Sequence, residues 1–186
     1  VGHFDFSIDE FNCDYYGSSL HKWLATPLGA GLLYINKNNT HKIWPLLANG
    51  NTNKNDIKRL NHIGTHPVHT DLAISNSIDY IKWIGIRKKE ERMRFLQRYW
   101  SDKLRGFKNV IVNTPEDNHR SCGIGNVGLT NMSPSDMAKT LFKNYKIFTV
   151  AIDYANVKGC RISPNIFTTT SELDTFVNAI KEMANT

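Results

Sequence analysis

From about residue 86 to its end, this 186-residue chain follows one alternation that few folds accommodate. Met93, Leu96, Trp100 and Leu104 recur at three- and four-residue spacing, which predicts one apolar face of a helix running to about Leu104. Val110-Ile111-Val112 is a β-branched run, and residues 124–129 alternate with glycines, so both predict strands. Ser133-Pro134 supplies a cap and a first-turn proline for a further helix. Strands are expected over 147–152 and at Arg161-Ile162-Ser163. Ser171-Glu172-Leu173-Asp174 has the form of a capping box opening a last helix over 172–184. Helix, strand, strand, helix, strand, strand, helix is the order of a compact α+β unit, its helices packed on a small antiparallel sheet.

The upstream part is less regular. Phe11, Cys13, Tyr15 and Tyr16 predict a short strand over 11–16 that enters a turn at Gly17-Ser18-Ser19. Residues 31–35 read as a buried strand stopped by the polar run 36–40, and the Asn- and Lys-rich residues 49–63 as a loop. Asp71 is expected to cap a helix with Ile74, Ile78, Ile81 and Ile84 on its apolar face, ended by Gly85. There is no internal repeat or low-complexity tract.

Between the first two strands lies Ser19-Leu20-His21-Lys22-Trp23-Leu24, followed by Pro27-Leu28-Gly29-Ala30-Gly31. It sets one lysine on a polar turn between apolar runs. Trp23 and Leu24 follow directly, so the lysine is expected to be partly desolvated, and a desolvated ammonium gives up its proton more readily to become an amine nucleophile. Ser19 and His21 offer polar contacts suited to a phosphate, and Gly29 and Gly31 permit a tight backbone before the next strand.

The net charge of +6 permits an anionic ligand without choosing one. Three cysteines, Cys13, Cys122 and Cys160, without a Cys-x-x-Cys pair, suggest a reducing compartment and hence a cytoplasmic location. No apolar run is long enough for a membrane span, and no signal peptide opens the chain. Val1-Gly2-His3-Phe4 begins without a methionine, as expected for the interior of a longer protein. His62, His66 and His69 have a spacing that a helix would turn into a metal site, but Gly64 and Pro67 interrupt that helix and no metal is expected. The basic run Arg87-Lys88-Lys89 with Arg92, Arg94, Arg98, Lys103 and Arg105 interleaves with Phe95, Tyr99 and Trp100. A nucleic-acid stripe is one reading. Glu90, Glu91 and Asp102 dilute it, and a solvated amphipathic helix is the better one, so no nucleic-acid partner is expected.

The His21-Lys22-Trp23-Leu24 run with Pro27-x-Gly29-x-Gly31-x-Leu33-Tyr34 resembles the lysine motif of the class V aminotransferases. These are fold-type-I pyridoxal-phosphate enzymes, and the run is most similar to their isopenicillin N epimerase-like branch. Gly64-Thr65-His66-Pro67 resembles the family's Gly-Thr element. Cys160-Arg161-Ile162-Ser163-Pro164-Asn165, with Phe167-Thr168-Thr169, resembles its Arg-x-Ser segment. The resemblance covers nearly the whole chain and implies an α/β fold: the end of a large cofactor domain (1–70), connecting helices (71–105) and a small C-terminal α+β domain (106–186).

It also implies roles. Lys22 would be the catalytic lysine that holds pyridoxal 5′-phosphate and moves the proton at the substrate α-carbon. Ser19 and His21 would contact the cofactor phosphate, and Thr65 would reach the phosphate of the neighbouring subunit of a homodimer. Arg161 would grip the α-carboxylate of an amino-acid or small-peptide substrate, a task suited to a bidentate guanidinium. In the family the acid at the pyridinium nitrogen precedes the Val-Gly-His-Phe segment and the ring-stacking group lies further upstream. These 186 residues alone are therefore expected to carry an incomplete site, inactive in transamination with added cofactor. A cysteine desulfurase needs a thiolate on a mobile loop before the arginine segment. No cysteine lies in 147–159, so transamination, racemisation or epimerisation is favoured. The alternatives are a non-catalytic remnant of the fold or interaction domain, or a cysteine desulfurase-like enzyme.

Overall fold

The computed structural model describes residues 1–48, 50–61 and 64–186. They form two units, Val1–Ile86 and Arg87–Thr186.

In the first unit a 3-10 turn at Ile8–Phe11 is capped by Ser7 and closed by Asn12 in the left-handed region. It leads into β1 (Tyr15–Ser19), which pairs antiparallel with β2 (Gly31–Ile35), Ser19 opposite Gly31. Phe11 therefore lies outside the strand expected over 11–16. Gly17, Ser18 and Ser19, expected as a turn, complete the strand because their backbone ladder to Leu33, Leu32 and Gly31 continues to the end. β2 has the expected bounds but not the expected burial. Leu33 is 60% exposed and only Ile35 is buried, since the described residues give this two-stranded ribbon little cover.

The segment after β2 is stapled by polar contacts. Asn39 donates to the Asp14 carboxylate at 2.5 Å, and the buried Arg59 guanidinium donates to the carbonyls of Thr40 and Ile43, each at 2.6 Å. Two further 3-10 turns follow β2: Lys37–Lys42, and Ile57–Leu60 within the stretch 49–63 expected as a loop.

Helix α1 spans Val68–Ile84 and ends at Gly85, whose φ of +88° suits glycine. Asp71 is not its cap. Pro67 holds the N-cap position without a side-chain bond, and Asp71 sits in the first turn, 3.2 Å from His66. The inward stripe is Ile74, Ser77 and Ile81 rather than Ile78, which is 38% exposed. Positions 74, 77 and 81 share a face at i, i+3 and i+7, and Ser77 takes the place of an isoleucine because it has a hydrogen bond to make there.

The second unit has the anticipated order: α2 (Ile86–Leu104, starting at the last residue of the first unit), β3 (Val110–Val112), β4 (Gly125–Leu129), α3 (Pro134–Tyr145), β5 (Val150–Tyr154), β6 (Val157–Ile162) and α4 (Thr170–Asn185). Its sheet is antiparallel throughout, in the order β3-β4-β6-β5. β5 and β6 form a hairpin over the two-residue turn Ala155-Asn156, both at positive φ. They begin and end away from the spans expected at 147–152 and 161–163.

Ser133 caps α3 as expected, accepting from Asp136 N at 3.2 Å. The last helix starts earlier than expected, because its capping box is Thr169 with Glu172, not Ser171 with Asp174. Asp174 is engaged elsewhere, accepting from Tyr99 Oη at 2.9 Å and from Lys103.

The core lies between the helices and one face of this sheet. Leu96, Trp100 and Leu104 of α2, Met137 and Leu141 of α3, Val127 of β4, Cys160 of β6 and Ile180 of α4 are fully buried. Trp100 meets Phe176 edge to face at 5.7 Å. Each large aliphatic side chain buried this way contributes about 1.5–3 kcal/mol. The alternate residues of the strands, Ile111, Asn126, Ile152, Tyr154 and Arg161, occupy the opposite face.

Candidate functional site

The lysine turn, residues 20–30, closes on itself. Leu20 N donates to Ala30 O at 3.0 Å and Thr26 N to Leu20 O at 3.4 Å. Leu20, Leu24 and Ala30 bury against Ile81 of α1, with Ile74 packed alongside. Ser77 Oγ donates to Ala25 O at 3.3 Å, anchoring the one non-glycine residue of the turn with positive φ. The opening segment lies over the turn: a Cβ at Gly2 would come within 2.6 Å of Trp23 C and Leu24 N, and the His3 ring stands edge-on to Trp23 at 3.9 Å.

The result differs from the expected desolvation. Leu24 turns into the cluster at 8% exposure and Trp23 is half-buried, while Lys22 itself is exposed. Its ammonium has no hydrogen-bond or ion-pair partner among the described residues. The turn fixes the backbone around the lysine and leaves the amine accessible. Beside it His21 is partly buried, and its Nδ1 is buried without a hydrogen-bond partner, a state that costs free energy until a ligand supplies one. Ser19 is exposed at the end of β1. An accessible amine, an orphaned imidazole nitrogen and a hydroxyl within four residues fit a phosphorylated aldehyde.

Thr65 is exposed on the turn before α1, where Gly64 has a φ of +71° and His66 Nδ1 lies 3.1 Å from Gly64 O. No hydrogen bond joins Thr65 to Ser19, His21 or Lys22. Of the three spaced histidines, His62 lies outside the described residues, His66 faces Gly64 and Asp71, and His69 lies on α1.

Arg161 belongs to the second unit. It lies on β6 between Asn126 of β4 and Val150 of β5, exposed on the sheet face away from the helices. Its guanidinium has no partner among the described residues. It borders an open hollow of about 430 Å³ whose lining includes Arg120, Ile124, Asn126, Ile152 and Tyr154.

The basic residues of α2 are largely committed to the protein itself. Arg94 donates to Asn118 O at 2.6 Å and to Ser121 O; Arg98 donates to Glu116 O and, at 2.8 Å, to Asn118 Oδ1. Arg92 donates to Thr168 O at 2.9 Å, and Arg105, just past the helix, donates to Thr114 O at 2.7 Å. Lys89 is buried, and burial pushes its pKa down.

The thiols are equally settled. Cys160 is fully buried in β6, and Cys122 is buried in the segment before β4. Burial raises the pKa of both, which disfavours a thiolate. The stretch before Arg161 is the two-residue hairpin turn and its strands, with no room for a long loop.

Gly2 and Ser77, which support the lysine turn, gave no sequence signal, and neither did the lining that Ile152 and Tyr154 give the hollow beside Arg161. A glycine or serine in those contexts is ordinary, and that lining assembles only through strand pairing.

Comparison with known proteins places these features in context. The family model for class-V aminotransferases matches residues 1–176. Isopenicillin N epimerase from Amycolatopsis lactamdurans is 23% identical over 98% of this chain and 50% of its own. Among solved structures, the apo cysteine desulfurase from Thermococcus onnurineus NA1 superposes with a TM-score of 0.83 at 19% identity, over 99% of this chain and 50% of that one. A C-DES mutant with glycine covalently linked to its PLP cofactor gives 0.80 at 15% identity, over 97% and 49%. At such identities the structural likeness speaks for the fold. The chain spans about half the length of the curated relatives it matches.

Proposed function

Since this chain belongs to the class-V aminotransferase family, we propose that it is part of a pyridoxal-phosphate enzyme acting at the α-carbon of an amino acid, by transamination, racemisation or epimerisation. The observation that carries this reading is Lys22: an exposed, unpartnered amine on a backbone turn fixed from three sides, beside an imidazole with a buried, unsatisfied nitrogen.

In this reading Lys22 would hold the cofactor at its aldehyde group, and Ser19 and His21 would take its phosphate. The bound cofactor supplies an electron sink for bonds broken at the α-carbon. Lys22 Nζ takes and returns the proton at that carbon once it is free of the cofactor. Arg161 binds the substrate carboxylate through paired N–H donors. Thr65, exposed and without a partner among the described residues, serves the phosphate site of a second subunit in a homodimer. The first unit is then the end of the cofactor domain and the second the small C-terminal domain. Chemistry at the α-carbon is favoured over sulfur transfer, because Cys160 is sealed in the core and the stretch before Arg161 is a tight hairpin.

The test is borohydride trapping of the chain with pyridoxal phosphate, followed by mass-spectrometric mapping. The expected result is a reduced adduct concentrated at Lys22 and lost in Lys22→Arg, whose guanidinium cannot form it. Even labelling across the surface lysines would refute the assignment and favour a non-catalytic remnant of the fold.

A further inference from the structure

Among the described residues, the hollow on the open face of the second unit's sheet is lined by two arginines and by no Asp or Glu. Arg161 comes from β6, and Arg120 from the connection between β3 and β4. Neither side chain has an ion-pair or hydrogen-bond partner among the described residues. Two arginines lining one hollow of about 430 Å³ concentrate positive charge there, which attracts an anion.

The position of Arg120 is built, not incidental. The connection that carries it is pinned by Arg94 and Arg98 of α2 and by Arg105 just past its end. Arg94 holds the carbonyls of Asn118 and Ser121 on either side of it, Arg98 holds Glu116 O, and Arg105 holds Thr114 O. The basic face of α2 thus spends its charge on fixing the loop that presents another arginine. Between Arg120 and Arg161 the lining includes Ile124, Ile152 and Tyr154, apolar surface suited to a short methylene chain.

We propose that this hollow selects a substrate with two anionic groups, the α-carboxylate at Arg161 and a second carboxylate or phosphate-type group at Arg120, which makes an acidic amino acid the preferred substrate class. The proposal rests on the reading of Arg161 as the carboxylate clamp and adds Arg120 as a specificity-determining residue. A guanidinium accepts either kind of second group bidentately, so the probes separate them.

The experiment is an NMR titration of the full chain at constant ionic strength with butyrate, glutarate and 3-phosphonopropionate. Glutarate, 3-phosphonopropionate or both are expected to bind about tenfold tighter than butyrate, the gain from one added charge-assisted pair. Whichever is tighter names the second group. Arg120→Gln should erase the difference and leave butyrate unchanged, while Arg161→Gln should weaken all three. Both side chains are exposed, so the variants should fold, as circular dichroism would check. Equal binding of all three probes, binding of none, or an Arg120→Gln variant that keeps the preference would overturn the proposal. An Arg161→Gln variant that binds butyrate as before would overturn the clamp reading and the proposal with it, whereas the three outcomes above overturn the second subsite alone.

Discussion

Replacing Gly2 by alanine should loosen the lysine turn from outside it. The residue has a φ of +83°, and an added Cβ would lie 2.6 Å from both Trp23 C and Leu24 N and 2.7 Å from Trp23 O. That is about 0.8 Å short of the 3.4 Å at which ordinary contact begins, and all three neighbours are backbone atoms with no rotamer to yield. Left-handed geometry costs a Cβ-bearing residue about 1–2 kcal/mol, and relieving the overlap adds about 1–3 kcal/mol. Gly29→Ala is the internal control. Its φ is +93° but nothing lies within 4 Å of its Cβ, so it bears the conformational cost alone. Hydrogen exchange followed by mass spectrometry on residues 20–30 reads the difference, since the amides of Leu20 and Thr26 are bonded within the turn. Gly29→Ala should speed their exchange roughly 5- to 30-fold, and Gly2→Ala by at least a further factor of about 5, at 1.4 kcal/mol per decade. Borohydride trapping at Lys22 should slow in Gly2→Ala. Equal acceleration by the two substitutions would refute the close approach as the cause.

Two further outcomes follow from the second unit. Thr169→Ala removes the cap of α4 and should cost about 1 kcal/mol in urea denaturation. The same unit should lose stability on acidification: Glu172 is held below the usual carboxylate range by bonds from Thr169, Asp174 by Lys103 and Tyr99, and Asp136 by Ser133 and Lys139. A depressed folded pKa gives stability that is complete above the unfolded value, near 4, and is lost as pH falls through the folded one. Lys103, raised by Asp174, acts oppositely, its share lost only as pH rises beyond about 10.4. A melting temperature that stays flat from pH 6 to pH 2.5 would contradict this. Finally, Ellman's reagent should modify half-buried Cys13 first in the native chain, with Cys122 and Cys160 reacting only on unfolding. Prompt modification of Cys160 would reopen sulfur chemistry.

What could be read from the sequence depended on how local its cause was. The order of elements after residue 86 was legible because the stripes at Met93, Leu96 and Trp100 and the Ser133-Pro134 start are each decided within a few residues. The start of α4 was not. Ser171 with Asp174 competes with Thr169 with Glu172, and the contest is settled by Tyr99 and Lys103, some seventy residues away, drawing off Asp174. The β5–β6 hairpin has no local signal because Ala155-Asn156 adopts positive φ without a glycine to announce it. In the site, the motif around Lys22 was legible, but adjacency to Trp23 and Leu24 could not say which side each residue takes; they fold inward and the lysine stays out. The pairing of Arg120 with Arg161 in one hollow had no local signal, because strand order brings the two segments together.

Strand β6 carries two incompatible obligations one residue apart. Cys160 and Ile162 fill the core, and Arg161 between them serves the open face. A deletion of one residue within the strand would exchange the faces, burying a guanidinium and exposing a thiol, so the strand cannot drift in register without losing the fold and the proposed anion site together. The hairpin tip at Ala155-Asn156 has no such tie. Insertions there lengthen the wall beside Arg161 and leave the core layer untouched. If the hollow binds as proposed, its choice of ligand is open to change at the tip while the architecture is held fixed along the strand.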